Sequence, residues 1–311
     1  MQALTFHGKK TIRLEQVPDP GLREPTDVIV KVRLTAICGS DMHVYHERET
    51  GLDDGTIMGH EFVGKVVETG SDVASLTTGT RVVSPFTTSC GRCHYCAIGL
   101  TARCVSGQLY GWVEKGQGLH GAQAEYVRVP MADSTLMPIP EGVTDDEALL
   151  AGDVLSTGFF CAQMAGVTPQ GVYAIVGCGP VGLMAAIGAR EQGAGKLFAI
   201  DRVPERLAMA ESFGASPVNA ATDDPVDAIL EATEGRGADA VLEAVGSPSA
   251  GRLAYDLVRP GGTISVVGVH NEEGFAFSPA DAYDKNLTYR VGRCPARNLM
   301  PQVLALLEAK R

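Results

Sequence analysis

A mainly β domain followed by a doubly wound parallel α/β domain is the fold class predicted for this chain of 311 residues. Three observations carry it. Short strands of period 2 dominate residues 1 to 150, and apolar strands and helices alternate after that point. A glycine-rich turn, Gly177-Cys-Gly179-Pro180-Val181-Gly182, joins the first strand of the second region to its helix. At this length two domains can each bury a core of their own. The predicted division is 1–150 and 151–311.

In the first region Val28, Val30, Val32, Leu34 and Ala36 alternate with Ile29, Lys31, Arg33 and Thr35, which predicts a strand that brings Cys38 to its end. Phe62–Glu68 and Arg81–Ser84 read as further short strands between turns containing Gly and Ser. The second region beats βαβαβ. Strand Val172–Val176, helix Val181–Gln192 and strand Lys196–Ile200 are followed by helices Glu205–Phe213 and Asp224–Glu234 and by strand Ala240–Val245. Leu253–Val258 leads through Pro260-Gly-Gly262 into strand Thr263–Gly268, and Leu287–Val291 is the last strand. Such alternation calls for a parallel sheet covered on both faces. A final helix starts near Asn298.

Composition narrows the function. The net charge is −11 with no basic run, so the surface repels phosphate backbones and argues against nucleic-acid binding. The stretch from Val154 to Arg190 is uncharged until its end. Pro169, Gly171, Gly177, Gly179, Pro180 and Gly182 cut it into pieces too short to span a bilayer, so no membrane partner is expected. The N-terminal MQALTFHGKK lacks the apolar core of a signal peptide, and a cytoplasmic location is expected.

Cys90, Cys93 and Cys96 stand at three-residue spacing in one loop, and Cys104 returns soon after to close a cage. Four thiolates at this spacing build a tetrahedral Zn²⁺ site with no open position, which is a structural site. The bland readings are two disulfides, which would need an oxidising compartment, or ordinary buried thiols. The lobe is placed at 86–108.

Gly177, Gly179 and Gly182 follow a predicted strand and open a predicted helix, the context of a Rossmann-type dinucleotide fingerprint. The first glycine allows the tight turn, the second lets backbone approach a pyrophosphate, and the third permits close helix–strand contact. The helix N-terminus then offers free N–H groups to the anion. Asp201, 19 residues beyond Gly182, ends the next strand, where a carboxylate can accept bonds from both ribose hydroxyls and repel a 2′-phosphate. NAD is therefore expected over NADP, although Arg202 beside it could bind such a phosphate.

Two further motifs complete the pattern: Cys38-Gly-Ser40-Asp-Met-His43 and Gly59-His60-Glu61. With the cysteine lobe, Gly152-Asp-Val-Leu-Ser-Thr-Gly-Phe159 and the glycine turn, they run in the order found in the zinc-containing medium-chain alcohol dehydrogenases, which this chain resembles over essentially its whole length. The resemblance implies a GroES-like catalytic domain bearing the structural zinc lobe. Cys38, His60 and Asp153 would hold a second, catalytic zinc, with Glu61 able to enter its coordination sphere. Ser40 and His43 would relay the alcohol proton, a role for which His46 is the weaker candidate. Thr157 would lie against the nicotinamide, and Phe86 matches a wall of the substrate pocket, where an ordinary core phenylalanine fits nearly as well. Val245, Gly246 and Val269 fall in the segments that would hold the nicotinamide. A homodimer or homotetramer is implied as well. Relatives continue for a few dozen residues past the equivalent of Arg311 to return to the first domain, so that return is expected to be missing.

The chemistry is consistent with these roles. Hydride leaves an alcohol readily only once the hydroxyl proton is gone, and zinc with an open position lowers that pKa. The expected activity is transfer of a hydride from a small alcohol or polyol to NAD, reversibly, giving an aldehyde or ketone. Formaldehyde or aldehyde oxidation or dismutation, a zinc-free quinone or enone reductase on the same fold, and a nucleotide-binding protein without turnover are the competing readings. His7, His94 and His120 read as bland, His270 as facing the nucleotide, and Cys161, Cys178 and Cys294 as buried thiols.

Overall fold

The computed structural model describes residues 1–310. These divide into two compact units, Met1–Ser156 together with the segment from Pro295 onward, and Thr157–Cys294. In the first unit the chain forms β1 (Gln2–Phe6), β2 (Ile12–Gln16), β3 (Val28–Thr35), helix α1 (Gly39–Tyr45), β4 (Phe62–Thr69), β5 (Arg81–Ser84) and α2 (His94–Ala97). It continues with β6 (Trp112–Glu114), β7 (Gln117–Leu119), β8 (Tyr126–Val129), α3 (Ala132–Thr135), β9 (Met137–Pro138), α4 (Asp145–Ala151) and the start of α5 (Val154–Ala165). Five strands make one antiparallel sheet in the order β8-β3-β4-β5-β9. Its inner face buries Val28, Val30, Phe62, Val66, Val82 and Val127 in one cluster. Each such side chain contributes about 1.5–3 kcal/mol on leaving water. Phe62 meets Tyr110 edge to face at 5.2 Å.

The pairing of β3 with β4 sets the site. Its register puts Thr35 opposite Phe62, so the residues leaving β3 and those entering β4 meet. Cys38 is not on the strand itself: it stands three residues past β3 and caps α1. The Asp41 carboxylate accepts the Cys38 N–H at 2.8 Å, which turns Cys38-Gly-Ser-Asp-Met-His43 into a helix start.

α4 carries the chain toward Asp153. Thr144 and Glu147 form a reciprocal cap at its N-terminus. Asp145 in its first turn accepts from Arg33 Nε at 2.5 Å and from Arg81 at 2.5 and 3.0 Å. Gly152 then lies so close to the Ser84 carbonyl that a Cβ would meet it at 2.4 Å. These contacts tie residues 145–156 to the antiparallel sheet. They explain why the units divide at 156/157 rather than at the predicted 150/151.

The tail also differs from expectation. The last helix, α11 (Ala296–Glu308), belongs to the first unit, not to the nucleotide domain assigned as 151–311, so the chain does return to its first domain. Leu299, Met300, Val303 and Leu304 form its buried face. Lys310 Nζ donates to the Gly142 carbonyl at 2.9 Å and pairs with Glu147 beside α4. The helical period was legible, but the partner of its apolar face was not.

The second unit contains β10 (Val172–Val176), α6 (Pro180–Glu191), β11 (Lys196–Asp201), α7 (Pro204–Ser212), β12 (Ser216–Asn219) and α8 (Pro225–Ala232). It continues with β13 (Ala238–Glu243), α9 (Pro248–Leu257), β14 (Val258–Val266), α10 (Pro279–Asp284) and β15 (Thr288–Val291). All six strands are parallel, in the order β12-β11-β10-β13-β14-β15. Period 2 sends Tyr173 and Ile175 to one core and Ala174 and Val176 to the other, so both faces are covered. The order reverses between β10 and β13, which makes the carboxyl ends of these two strands the switch point where ligands bind in such sheets. β12, with a single buried residue in Ser216-Pro-Val-Asn219, has no strand signature of its own and forms by pairing with β11. Among the described residues no single helix is long and apolar enough to cross a membrane.

Two stability tests follow from this architecture. Asp145→Ala leaves two guanidinium groups without their shared acceptor, and denaturant unfolding should show a loss of about 1–3 kcal/mol. Burial alone would raise the Asp145 pKa, but Arg81 and Arg33 outweigh it and hold the carboxyl below its usual range. The stabilisation is thus present above about pH 4 and lost as pH falls through the lower folded value, a dependence missing in Asp145→Asn. In Gly182→Ala the new Cβ would lie 1.8 Å from the Gly177 carbonyl oxygen. It should cost about 1–3 kcal/mol, read as a lower Tm.

Candidate functional site

The β3–β4 register brings Cys38, His60 and Glu61 together, and the α4–α5 junction adds Asp153. One ligand atom from each of these four residues lies within 4.8 Å of the other three. His60 Nε2 stands 3.4 Å from Asp153 Oδ2, and Cys38 Sγ stands 4.0 Å from the same oxygen. Gly59, at φ +93°, aims His60 inward and leaves no room for a side chain: a Cβ there would meet the Gln123 backbone nitrogen at 2.9 Å.

Asp41, given no role by the sequence reading, shapes the centre from behind. Its Oδ1 lies 3.4 Å from His60 Nδ1, while Oδ2 accepts the Cys38 N–H and, at 3.4 Å, the Gln123 amide. A proton on Nδ1 facing Asp41 leaves the Nε2 lone pair for the cluster, the carboxylate–histidine arrangement of metal sites. The CGSD motif was visible in the sequence, but only the fold shows that His60 is what Asp41 faces.

Burial and neighbouring charges set the protonation equilibria of the cluster. Burial raises the Cys38 thiol pKa. Burial and then the charge of Asp153 push Glu61 up to about 7. Burial opposes the charged form of His60, yet Asp153, Asp41 and Cys38 outweigh it and hold its pKa well above the usual value. Without a cation Cys38, His60 and Glu61 are therefore biased toward their protonated forms. A divalent cation reverses that balance, because it favours every deprotonated donor at once. One thiol, one imidazole and carboxylates are a zinc donor set. The edge of a tetrahedron with Zn–ligand bonds of about 2.0–2.3 Å is roughly 3.3–3.8 Å; the 3.4 Å separation lies within it and the 4.0 Å separation a little beyond. The residues fit the ion.

The second cluster is of another kind. Cys90, Cys93, Cys96 and Cys104 bring their sulphurs within 4.8 Å of one another, and none of the eight cysteines is in a disulfide. Loop N–H groups point at the sulphurs. The Cys96 and Val105 amides bring Cys93 down to about 6, and the Arg92 amide lowers Cys90. Burial pushes Cys96 up to about 12 and raises Cys104. Two thiols already biased toward thiolate, with two more beside them, suit a four-sulphur metal cage.

In the second unit Gly177 takes φ +89° at the end of β10, Gly179 caps α6, Pro180 is its first residue, and Val181 and Gly182 complete the turn. Gly182 is required by the fold, as its contact with Gly177 shows. Gly179 is not: it has ordinary φ, and a Cβ there would meet nothing within 4 Å. That open space beside the free N–H groups of α6 is the cradle a pyrophosphate would fill. Asp201 ends β11, where its Oδ2 accepts the Cys178 N–H at 2.7 Å and its Oδ1 accepts those of Arg202 and Val203 at 2.7 and 3.0 Å. Burial works against its charge, but these three amides and Arg206 keep its pKa low, so Asp201 is anionic. The same carboxylate that would receive the ribose hydroxyls therefore also braces the glycine turn. Arg202 is exposed beside it.

The remaining expected residues are more scattered. Ser40 and His43 share α1 at a spacing of three and are half-buried. Thr157 is buried in α5. Val245 and Val269 are exposed apolar residues on turns that follow β13 and β14, and Gly246 takes φ +80°. Phe86 is buried, as are Cys161, Cys178 and Cys294. His7 is less bland than its sequence suggests: it lies 2.8 Å from Glu15, brought to it by the β1–β2 hairpin, and 2.8 Å from Asp54 in the loop before β4.

Comparison with known proteins agrees with this picture. Residues 24–141 match the family model of the alcohol dehydrogenase GroES-like domain, and residues 180–309 match that of zinc-binding dehydrogenases. A zinc-type alcohol dehydrogenase B of Aspergillus flavus is 46% identical over 99% of this chain and 72% of its own length. Among solved structures, the alcohol dehydrogenase TADH of Thermus sp. ATN1 aligns with a TM-score of 0.93 at 41% identity, covering 99% of this chain and 89% of that one. A zinc-binding dehydrogenase of Sinorhizobium meliloti, solved with NADP bound, aligns with a TM-score of 0.85 at 28% identity, covering 99% and 88%. The fold class is thus a GroES-like domain joined to a Rossmann-type domain, and the chain belongs to the zinc-containing medium-chain dehydrogenase family.

Proposed function

We propose that this protein is a zinc-dependent oxidoreductase that moves a hydride between a small alcohol or polyol and NAD. The observation that carries this reading is the convergence of Cys38, His60, Asp153 and Glu61, buried or half-buried, in a chain of this family. Cys38, His60 and Asp153 would hold the ion, with Asp41 fixing the tautomer of His60 and Glu61 standing by as an alternative donor. Zinc bound there supplies Lewis acidity, which makes a hydroxyl proton easier to remove.

The chain's own residues then handle the proton and the hydride acceptor. Ser40 Oγ takes the hydroxyl proton and passes it to the His43 imidazole, one helical turn away on α1, which releases it to water. NAD held in the second unit would accept the hydride from the carbinol carbon, the overall change being alcohol and NAD⁺ to carbonyl compound, NADH and a proton. In the second unit the amides of the Gly177–Gly182 turn and the α6 N-terminus bind the pyrophosphate, and Asp201 accepts from the ribose hydroxyls. Thr157, Val245, Gly246 and Val269 receive the nicotinamide. Asp201 favours NAD over NADP by charge. The outer edge of β15, a terminal strand of the six-stranded sheet, offers a surface for the homodimer or homotetramer of the same proposal.

Metal analysis of the purified chain should return two zinc ions. Cys38→Ala should keep one and abolish reduction of NAD⁺ by primary alcohols, whereas Cys93→Ser should lose the other and lower Tm. One ion or none in the wild-type protein would point to the zinc-free reductase reading instead. The dinucleotide half is checked by Gly179→Ala, expected to leave Tm unchanged while weakening NADH binding by about tenfold or more, since its methyl occupies space the fold leaves open. Faster turnover with NADP⁺ than with NAD⁺ would overturn the role given to Asp201.

A further inference from the structure

Glu243 is the last residue of β13 and lies at the switch point of the parallel sheet, with no exposed surface. Its Oε1 accepts the N–H groups of Val245 and Gly246, both at 2.8 Å. Its own carbonyl accepts those of Val267 and Gly268, at 3.0 and 3.2 Å. One residue thus fastens the turn after β13 and the turn after β14. Oε2 has no hydrogen-bond partner and stands 3.4 Å from His270 Nε2.

The space around this carboxylate is tightly filled. A Cβ on Gly268 would lie 2.7 Å from Oε2 and 2.2 Å from the Gly246 nitrogen, and one on Gly246 would lie 2.3 Å from the Val269 carbonyl oxygen. Val245 in turn bears on the fingerprint: a Cβ on Gly177 would meet Val245 Cγ2 at 2.3 Å. Yet the turns themselves present exposed apolar side chains, Val245 and Val269, outside the carboxyl ends of their strands. A buried carboxylate with one oxygen unsatisfied is costly, and such groups in a native fold call for an explanation.

We propose that Glu243 is a positioning residue for the nicotinamide end of the dinucleotide. Its carboxylate holds the Val245–Gly246 turn by two amide bonds and faces His270 of the Val267–His270 turn, which its main-chain carbonyl fastens through Val267 and Gly268. This rests on the reading that the second unit binds NAD. Oε2 makes no hydrogen bond but faces the His270 imidazole of the second turn, which is about one-third exposed.

NADH titration by fluorescence, combined with zinc content and Tm, separates the possibilities. Glu243→Asp is one methylene too short to keep both amide bonds. It should weaken NADH binding and raise the KM for NAD by about tenfold, with two zinc ions and the KM for alcohol unchanged. Glu243→Gln keeps an acceptor for both amides and should hold affinity within about a factor of three of wild type. Wild-type affinity in Glu243→Asp, or a Glu243→Gln as weak as Glu243→Asp, overturns the proposal. If Glu243→Asp fails to fold, amide hydrogen exchange on the wild-type protein decides: saturating NADH should slow exchange at Val245, Gly246 and Gly268, and unchanged rates refute the positioning role. A wild-type protein that binds no NADH sinks the NAD reading, and this inference with it. Tight binding insensitive to Glu243 sinks the inference alone.

Discussion

The register of β3 against β4 is the constraint on which the rest of the metal centre depends. With Thr35 opposite Phe62, the chain leaves one strand toward Cys38 and enters the other from His60 and Glu61. A slip of one residue would exchange the buried and exposed faces of both strands, and Val30 and Phe62 in the core forbid it. Apolar burial in the sheet therefore fixes the positions of polar atoms outside it. Asp41 extends this control: by bonding the Cys38 amide and facing His60 Nδ1, it orients two prospective ligands from different segments.

The two sulphur-containing sites solve the problem of gathered like charges differently. At Cys38 the donors are buried or half-buried, and burial biases Cys38 and Glu61 toward their protonated forms, with Glu61 near 7. At the cysteine lobe the loop amides aim at sulphur and draw Cys93 down to about 6 before any ion arrives. Donors of this kind fit the ligand-exchanging role proposed for this centre. A cage lined by amides suits one that stays closed. The second unit uses the same device at Asp201, whose carboxylate is kept anionic by three backbone amides while it braces the glycine turn.

Glycines in this protein divide by what excludes a side chain. Gly182 and Gly268 are excluded by the chain's own atoms, Gly177 by its φ and by Val245, and Gly179 by nothing the fold provides. The last case is the informative one. On the proposed reading, the open space there is where an anion would lie at the start of α6. Glu243 makes the complementary case, a polar group whose surroundings are settled except for one oxygen.

Features whose physics is local were legible in the chain. Three cysteines at three-residue spacing, a glycine turn between a strand and a helix, and an acid at the next strand end each depend on a few consecutive residues. Period 2 in Val28–Ala36 and the βαβ beat after residue 170 set the fold class for the same reason. Asp153 could be proposed as a partner of Cys38 only through resemblance to a family, because 115 residues separate them and no local pattern joins them. The facing of Asp41 toward His60, the bracing of two turns by Glu243, the forming of β12 and the return of α11 to the first unit were decided by tertiary structure alone. Each depends on which surface or atom arrives from a distant part of the chain. Hydrophobic periodicity states that a face will be buried without stating against what. The sequence by itself determined the elements, the fold class and the chemical types of the donors, and packing and register decided which donors meet.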